Sequence, residues 1–169
     1  MKKDKLMIKI IIALIVVIVF CSIIIVYLII NNKKLEYAPL EIEPNVTKIE
    51  DDKKKINVPD GGSAVRLSYS NKAKINLEKK EIILNLKNPS VSTEDMILEV
   101  FVISDNNETI IAKSGRIKPG YGLTSLPLND NVIFKAGQYN GKFIIYYYND
   151  DTAEKSIVNT NIPITIDVN

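Results

Sequence analysis

The chain has 169 residues, enough for one ordinary domain and an anchor but not for two full domains. Its formal net charge is +2; of 22 basic and 20 acidic side chains, residues 1–60 hold ten and eight, leaving twelve of each for residues 61–169. A charge-balanced domain lacks the basic footprint that phosphate-backbone binding needs, which argues against nucleic acid, and the absence of His removes Ser–His and Cys–His catalysis together with the commonest transition-metal ligand.

Residues 1–9 form a short tail carrying Lys2, Lys3, Lys5 and Lys9. From Ile10 to Ile30 the sequence IIIALIVVIVFCSIIIVYLII contains no charge, Gly or Pro over 21 residues. At 1.5 Å per residue it predicts a helix of roughly 31 Å, about the thickness of a bilayer's hydrocarbon core. A cleaved signal peptide would have a shorter apolar region followed by a small-residue cleavage site, and neither is present, so an uncleaved signal anchor is expected. The only cysteine, Cys21, follows Phe20, where a lipid-modified cysteine would need a small residue; it reads as an apolar thiol within the helix. Lysines crowd before the span and only Lys33 and Lys34 follow it, so the expected orientation is N-terminus in the cytoplasm and C-terminal domain outside.

Residues 31–60 are rich in charge, with the run Glu50-Asp51-Asp52-Lys53-Lys54-Lys55, and read as a charged stalk or linker. A short helix around Thr47–Ile56 is the alternative there, although no apolar stripe supports it. All seven glycines lie at or beyond Gly61, and Pro59-Asp60-Gly61-Gly62 is a turn signal that marks the start of a domain over 61–169. A fragment from about Val58 to Asn169 is therefore expected to fold as one cooperative unit.

Beyond Ala64 the apolar residues recur with period two between turn residues, the pattern of an antiparallel all-β fold. Val65, Leu67 and Tyr69 alternate with polar neighbours, as do Ile75 and Leu77, and Ile82, Leu84 and Leu86 share one face. Met96–Ile103 is apolar on both faces, predicting a central strand, and Thr109–Lys113 pairs back after the turn Asp105–Glu108. Leu123–Leu128 follows, then Tyr139–Tyr148 as the longest strand, and Ile162, Ile164, Ile166 and Val168 alternate to the C-terminus. Seven or eight short strands in this length predict an immunoglobulin-like antiparallel β-sandwich preceded by one N-terminal transmembrane helix. Ala136-Gly137-Gln138-Tyr139 matches the tyrosine corner of such folds, in which a hydroxyl ties the strand entrance to upstream backbone.

The stretch from Val58-Pro59-Asp60-Gly61-Gly62 through Gly141-Lys142-Phe143 to Ile162-Pro163-Ile164-Thr165-Ile166 resembles uncharacterised membrane-anchored Ig-like surface proteins of low-GC Gram-positive bacteria. The resemblance implies placement at the cell membrane and supplies no activity.

Acidic loops at Asp105–Glu108, Asn129-Asp130-Asn131 and Asn149-Asp150-Asp151 lack the spacing of a calcium loop and carry the residues that turns need. No S-x-x-K arrangement occurs, and no catalytic residue, cofactor or metal site is assigned. One run stands out. If Tyr139 points inward, so do Gly141, Phe143, Ile145 and Tyr147, leaving Ile144, Tyr146 and Tyr148 together on the opposite face as the candidate interaction patch. The alternative is that a neighbouring layer covers them. The expected function is a non-catalytic, membrane-anchored extracytoplasmic binding or structural module, a subunit of a cell-envelope assembly, held to the lipid bilayer by residues 10–30 and meeting an envelope protein or glycan. The alternative is an envelope hydrolase or an isopeptide-type crosslinking domain joining Lys74 to Asn159 or Asn161.

Overall fold

The computed structural model describes residues 2–31, 36–39, 41–50, 54–59, 62–104 and 107–169, with helix side chains described at 11 and over 14–28. Asp60 and Gly61 of the expected turn, Asp51–Lys53 of the charge run and Asp105 and Asn106 of the acidic loop lie outside the described residues, as do the side chains of the tail lysines. The chain divides into two compact units, Met1–Leu35 and Glu36–Asn169.

The first unit is one helix, α1 (Lys2–Asn31). Neither Gly nor Pro interrupts it, and its described large apolar side chains, at 11 and over 14–28, are exposed at 42–64 %. The Ser22 hydroxyl donates back to the Ile18 carbonyl at 2.8 Å, a bond that keeps it satisfied within the helix. Among the described residues no helix is long and apolar enough to cross a membrane.

The second unit is a curled sheet of nine strands: β1 (Val46–Lys48), β2 (Ser68–Tyr69), β3 (Lys72–Asn76), β4 (Glu81–Asn88), β5 (Glu94–Ser104), β6 (Asn107–Lys113), β7 (Tyr121–Pro127), β8 (Gly137–Asn149) and β9 (Lys155–Val168). Their order is β1-β7-β4-β3-β9-β8-β5-β6, with β2 also paired to β4. Period-two patterning positions the main core. Ile82, Leu84 and Leu86 of β4 are buried while Ile83 between them is 43 % exposed, and Phe143 and Ile145 of β8 face the same cluster as Ile162, Ile164 and Ile166 of β9. Of the run expected to be buried on both faces, Met96–Val100 and Val102 of β5 are buried, Phe101 is half-buried and Ile103 is 37 % exposed, while Glu94 and Asp95 ahead of it are buried as well. Gly141 is needed where β8 crosses this core, because a Cβ there would sit 2.5 Å from the Phe101 carbonyl oxygen and 2.7 Å from Ile166 Cδ1.

Four features differ from the sequence expectation. The pairing is not wholly antiparallel, since β3 runs parallel to β9. That ladder begins at Thr165, whose N–H donates to the Asn71 carbonyl at 2.9 Å. Two residues earlier the backbone of Pro163 points the same way with no N–H to offer, so pairing ends there and the incoming chain crosses to β4. The longest strand is β9, with 14 residues against 13 for β8. The Val65–Tyr69 strand is regular only at β2; residues 64–66 are instead tied by the side chains of Ser92 and Thr93, which hydrogen-bond the backbone of Arg66 and Ala64 at 2.9–3.2 Å.

The largest difference concerns 31–60. Its described part from Glu36 onward is not a free stalk but belongs to the β unit. Where a short helix around Thr47–Ile56 is the alternative expectation, Val46–Lys48 is β1, antiparallel to β7, and the described residues 49–50 and 54–56 are not helical. Upstream, Tyr37 bridges Glu154, Ile42 bridges Arg116, and Ala38 is buried. Charge and the absence of period-two apolar residues hid this docking, because the segment holds on chiefly through backbone hydrogen bonds and one buried acid. Glu43, 4 % exposed, accepts from the Gly115 N–H at 2.7 Å and from Asn45 at 2.8 Å.

Candidate functional site

The predicted patch is only partly a surface. Ile144 and Tyr146 are half-buried, and Tyr148 is 5 % exposed, packed with Ala38 and Ile97 in a small second core. Assignment of Tyr148 to an exposed patch is therefore corrected. The cover is the 36–39 segment, held by Ala38 N–H to the Ala153 carbonyl and by Lys155 N–H to the Glu36 carbonyl, both 2.8 Å. Lys155 also pairs with the Glu36 carboxylate at 2.7 Å, and its ammonium sits 4.5 Å from the Tyr146 ring centroid. Burial raises the Tyr148 hydroxyl above its ordinary pKa, with Lys155 opposing.

The tyrosine corner is present. The Tyr139 hydroxyl donates to the Lys135 carbonyl at 3.0 Å, and its ring meets Phe134 edge-on at 5.5 Å. This fixes the entrance of β8, the strand that carries both the core residues and the patch residues.

At the other end of β8 the ladder with β9 is irregular. Tyr146 pairs with Asn159, but Tyr148 pairs with Lys155, so two steps on β8 oppose four on β9. Such a bulge takes its extra residues off the ladder and bends the strand. Ile157 and Val158 accordingly stand 96 % and 69 % exposed. Beside them opens a cleft of 160 Å³ whose lining includes Val65, Val158 and Tyr147 together with Glu94, Ser63 and Ser156. Glu94 is 2 % exposed, and its Oε2 accepts from the Ser156 hydroxyl. The Tyr147 hydroxyl is held against Thr160 Oγ1 at 2.7 Å.

Asp95, the next residue, is fully buried and lies on the opposite face of β5, opposite Tyr148 in the register. Its Oδ2 is 3.1 Å from Arg116 Nε, yet both carboxyl oxygens and that nitrogen lack a hydrogen bond among the described residues. Desolvation therefore outweighs the attraction of Arg116 and Lys118, and the carboxyl is pushed up to about 6 from 3.8. A carboxyl that holds its proton more tightly folded than unfolded favours the fold as the proton binds, so its contribution grows as pH falls from above 6 toward 4. Relative to Asp95→Asn, the wild-type chain should gain on the order of 2 kcal/mol of unfolding free energy between pH 7.5 and pH 4.5. Parallel urea melts of the two proteins at both pH values measure this, and an unchanged difference would refute it.

No family model matches the chain, and no curated protein matches it. Among solved structures, the CooA pilin subunit from enterotoxigenic Escherichia coli is similar at 12% identity, over 62% of this chain and 98% of that one, with a TM-score of 0.29. At that overlap the likeness carries no argument about this chain.

Of the residues raised for crosslinking, Lys74 stands opposite Asp167 on β9. Asn161 and Asn159 lie six and eight residues further along, roughly 20 and 26 Å at the spacing of a strand, so the structure does not bring them to Lys74. The loop at 149–151 uses its asparagine for the turn, since Asn149 Oδ1 accepts from the Asp151 and Thr152 amides at 3.0 and 2.8 Å. Sequence reasoning passed over Glu94 and Asp95. A signal was available, as two adjacent acids open a strand whose next residues are apolar on both faces.

Proposed function

We propose that this protein is a single-pass membrane protein that displays an immunoglobulin-like β domain outside the cytoplasmic membrane, where it serves as a non-catalytic binding or structural module of the cell envelope. The observation that carries the reading is α1. A helix ringed by exposed Ile, Val, Leu and Phe has no packed side to bury them, and hydrocarbon is the solvent in which that surface is stable. The Ser22 hydroxyl is bonded within the helix, as hydrocarbon demands, and Tyr27 stands near the end of the run, where an interfacial aromatic sits. The sequence over 10–30 has the length of a span, and the lysines before it favour a cytoplasmic tail.

Support for the immunoglobulin-like reading comes from topology. Within the single continuous sheet, β1-β7-β4 with β2 on β4 follows D-E-B-A of that fold and β9-β8-β5-β6 follows G-F-C-C′, the two joined through β3, which pairs with both β4 and β9. The Tyr139 clip falls at the entrance of the strand equivalent to F, where that fold places its tyrosine corner. Protease added to intact spheroplasts should remove a C-terminal epitope tag while an N-terminal tag stays protected. Full protection of the C-terminal tag would overturn the orientation, and recovery of the chain in a salt-washed soluble fraction would overturn the anchor.

A further inference from the structure

We infer that the cleft beside Glu94 is a binding site for an alkylammonium group, the side chain of a lysine on a partner polypeptide. The contrast between the two acids that open β5 carries the inference. Asp95 is buried against a guanidinium. Glu94, equally buried on the other face, has no cation among the described residues and accepts a single described hydrogen bond, from Ser156. A buried carboxylate is costly unless a charge partner completes it, and Glu94 lines the cleft through which one can reach it.

The shape of the cleft selects the cation. Ser156 already takes one acceptor position on Oε2, and the compact charge of an ammonium needs a single carboxylate oxygen, whereas the wider planar fork of a guanidinium calls on both. A metal ion would need several oxygen ligands, and among the described residues no group of three or more acids, His or Cys gathers anywhere. Val65, Val158 and the Tyr147 ring offer the apolar walls along which a four-carbon stem lies with its charged head beyond them. A volume of 160 Å³ is about five times the share of one liquid water, the scale of a single long side chain. Glu154 lines the wider mouth, while Lys155 there is already taken by Glu36, so the approach is acidic. The bulge that lifts Ile157 and Val158 leaves the entrance open.

The test is a titration of the full-length chain in neutral-detergent micelles at constant salt, followed by the amide resonances of Val158, Asn159 and Thr160. The probes are N-acetyl-lysine methylamide, its norleucine counterpart, which keeps the stem and lacks the charge, and cadaverine. Saturable shifts with the lysine probe and at least tenfold weaker binding of the norleucine probe are expected. Tighter binding of the lysine probe than of cadaverine supports a polypeptide source, and the reverse order overturns that source. Glu94→Gln should weaken the lysine probe at least tenfold. Because a substitution at a buried acid can disturb folding, Val158→Lys, at a position 69 % exposed, supplies a competing ammonium at the mouth and should have the same effect with an unchanged melting temperature. Absence of saturable shifts, equal binding of the norleucine probe, or undiminished binding to a folded Glu94→Gln or Val158→Lys chain overturns the site.

Discussion

A fragment beginning at Val58 should melt well below one beginning at Glu36, by about 10 °C or more, corresponding to a loss of roughly 3 kcal/mol. The shorter fragment retains β2 to β9 and by its strand pattern alone would be the complete domain. It lacks β1, which pairs with β7 through Val46, Thr47 and Lys48. It lacks Ala38, which covers Tyr148 and Ile97, and Glu43, whose buried carboxylate satisfies the Gly115 amide. Removing an acceptor from a buried donor costs about 1–3 kcal/mol, and uncovering apolar area adds about 25 cal/mol per Å². The cut also removes the Glu41–Glu43 backbone that brackets Arg116, with Arg116 N–H on the Glu41 carbonyl and the Arg116 carbonyl on Glu43 N–H, each at 3.0 Å. The Asp95–Arg116 pair should then be wetter, and the pH dependence that distinguishes wild type from Asp95→Asn should shrink in the fragment. Differential scanning calorimetry of both fragments decides the matter; coincident melts would return residues 36–57 to the status of a linker.

Tyr148→Ala should cost roughly 3–4 kcal/mol, the range for deleting a large buried side chain, whereas Tyr146→Ala should cost about 1 kcal/mol. Both residues lie on the same face of β8, two apart, and the strand pattern treats them alike. Tyr148 is 5 % exposed under the 36–39 segment, while Tyr146 is half-buried with the Lys155 ammonium 4.5 Å from its ring centroid. Equilibrium urea unfolding of the two variants in the Glu36–Asn169 fragment measures the difference. Equal, small costs would restore Tyr148 to the surface and with it the three-residue patch; equal, large costs would remove Tyr146 from it as well.

The amino-acid sequence by itself determined the elements whose physics is local. A 21-residue run without charge, Gly or Pro gave a continuous helix, and alternation at Ile82, Leu84 and Leu86 placed β4 with its correct inward face, since side-chain direction in a strand follows from parity alone. The largely apolar run Met96–Ile103, interrupted by Glu99, identified a strand that is buried on both sides through Val100, and Gly137-Gln138-Tyr139 marked the clipped entrance of β8. Tertiary structure decided what depends on partners distant in the chain. That Lys72–Ile75 runs parallel to Thr165–Val168, and stops at Pro163, reflects which backbone groups meet across about ninety residues. That Glu36–Ile49 joins the domain rests on backbone hydrogen bonds, which every residue type can make and which composition therefore does not announce. The bulge opposite Tyr146 and Tyr148 is likewise a mismatch between two strands, invisible in either one, and it is this mismatch that opens the cleft at Glu94.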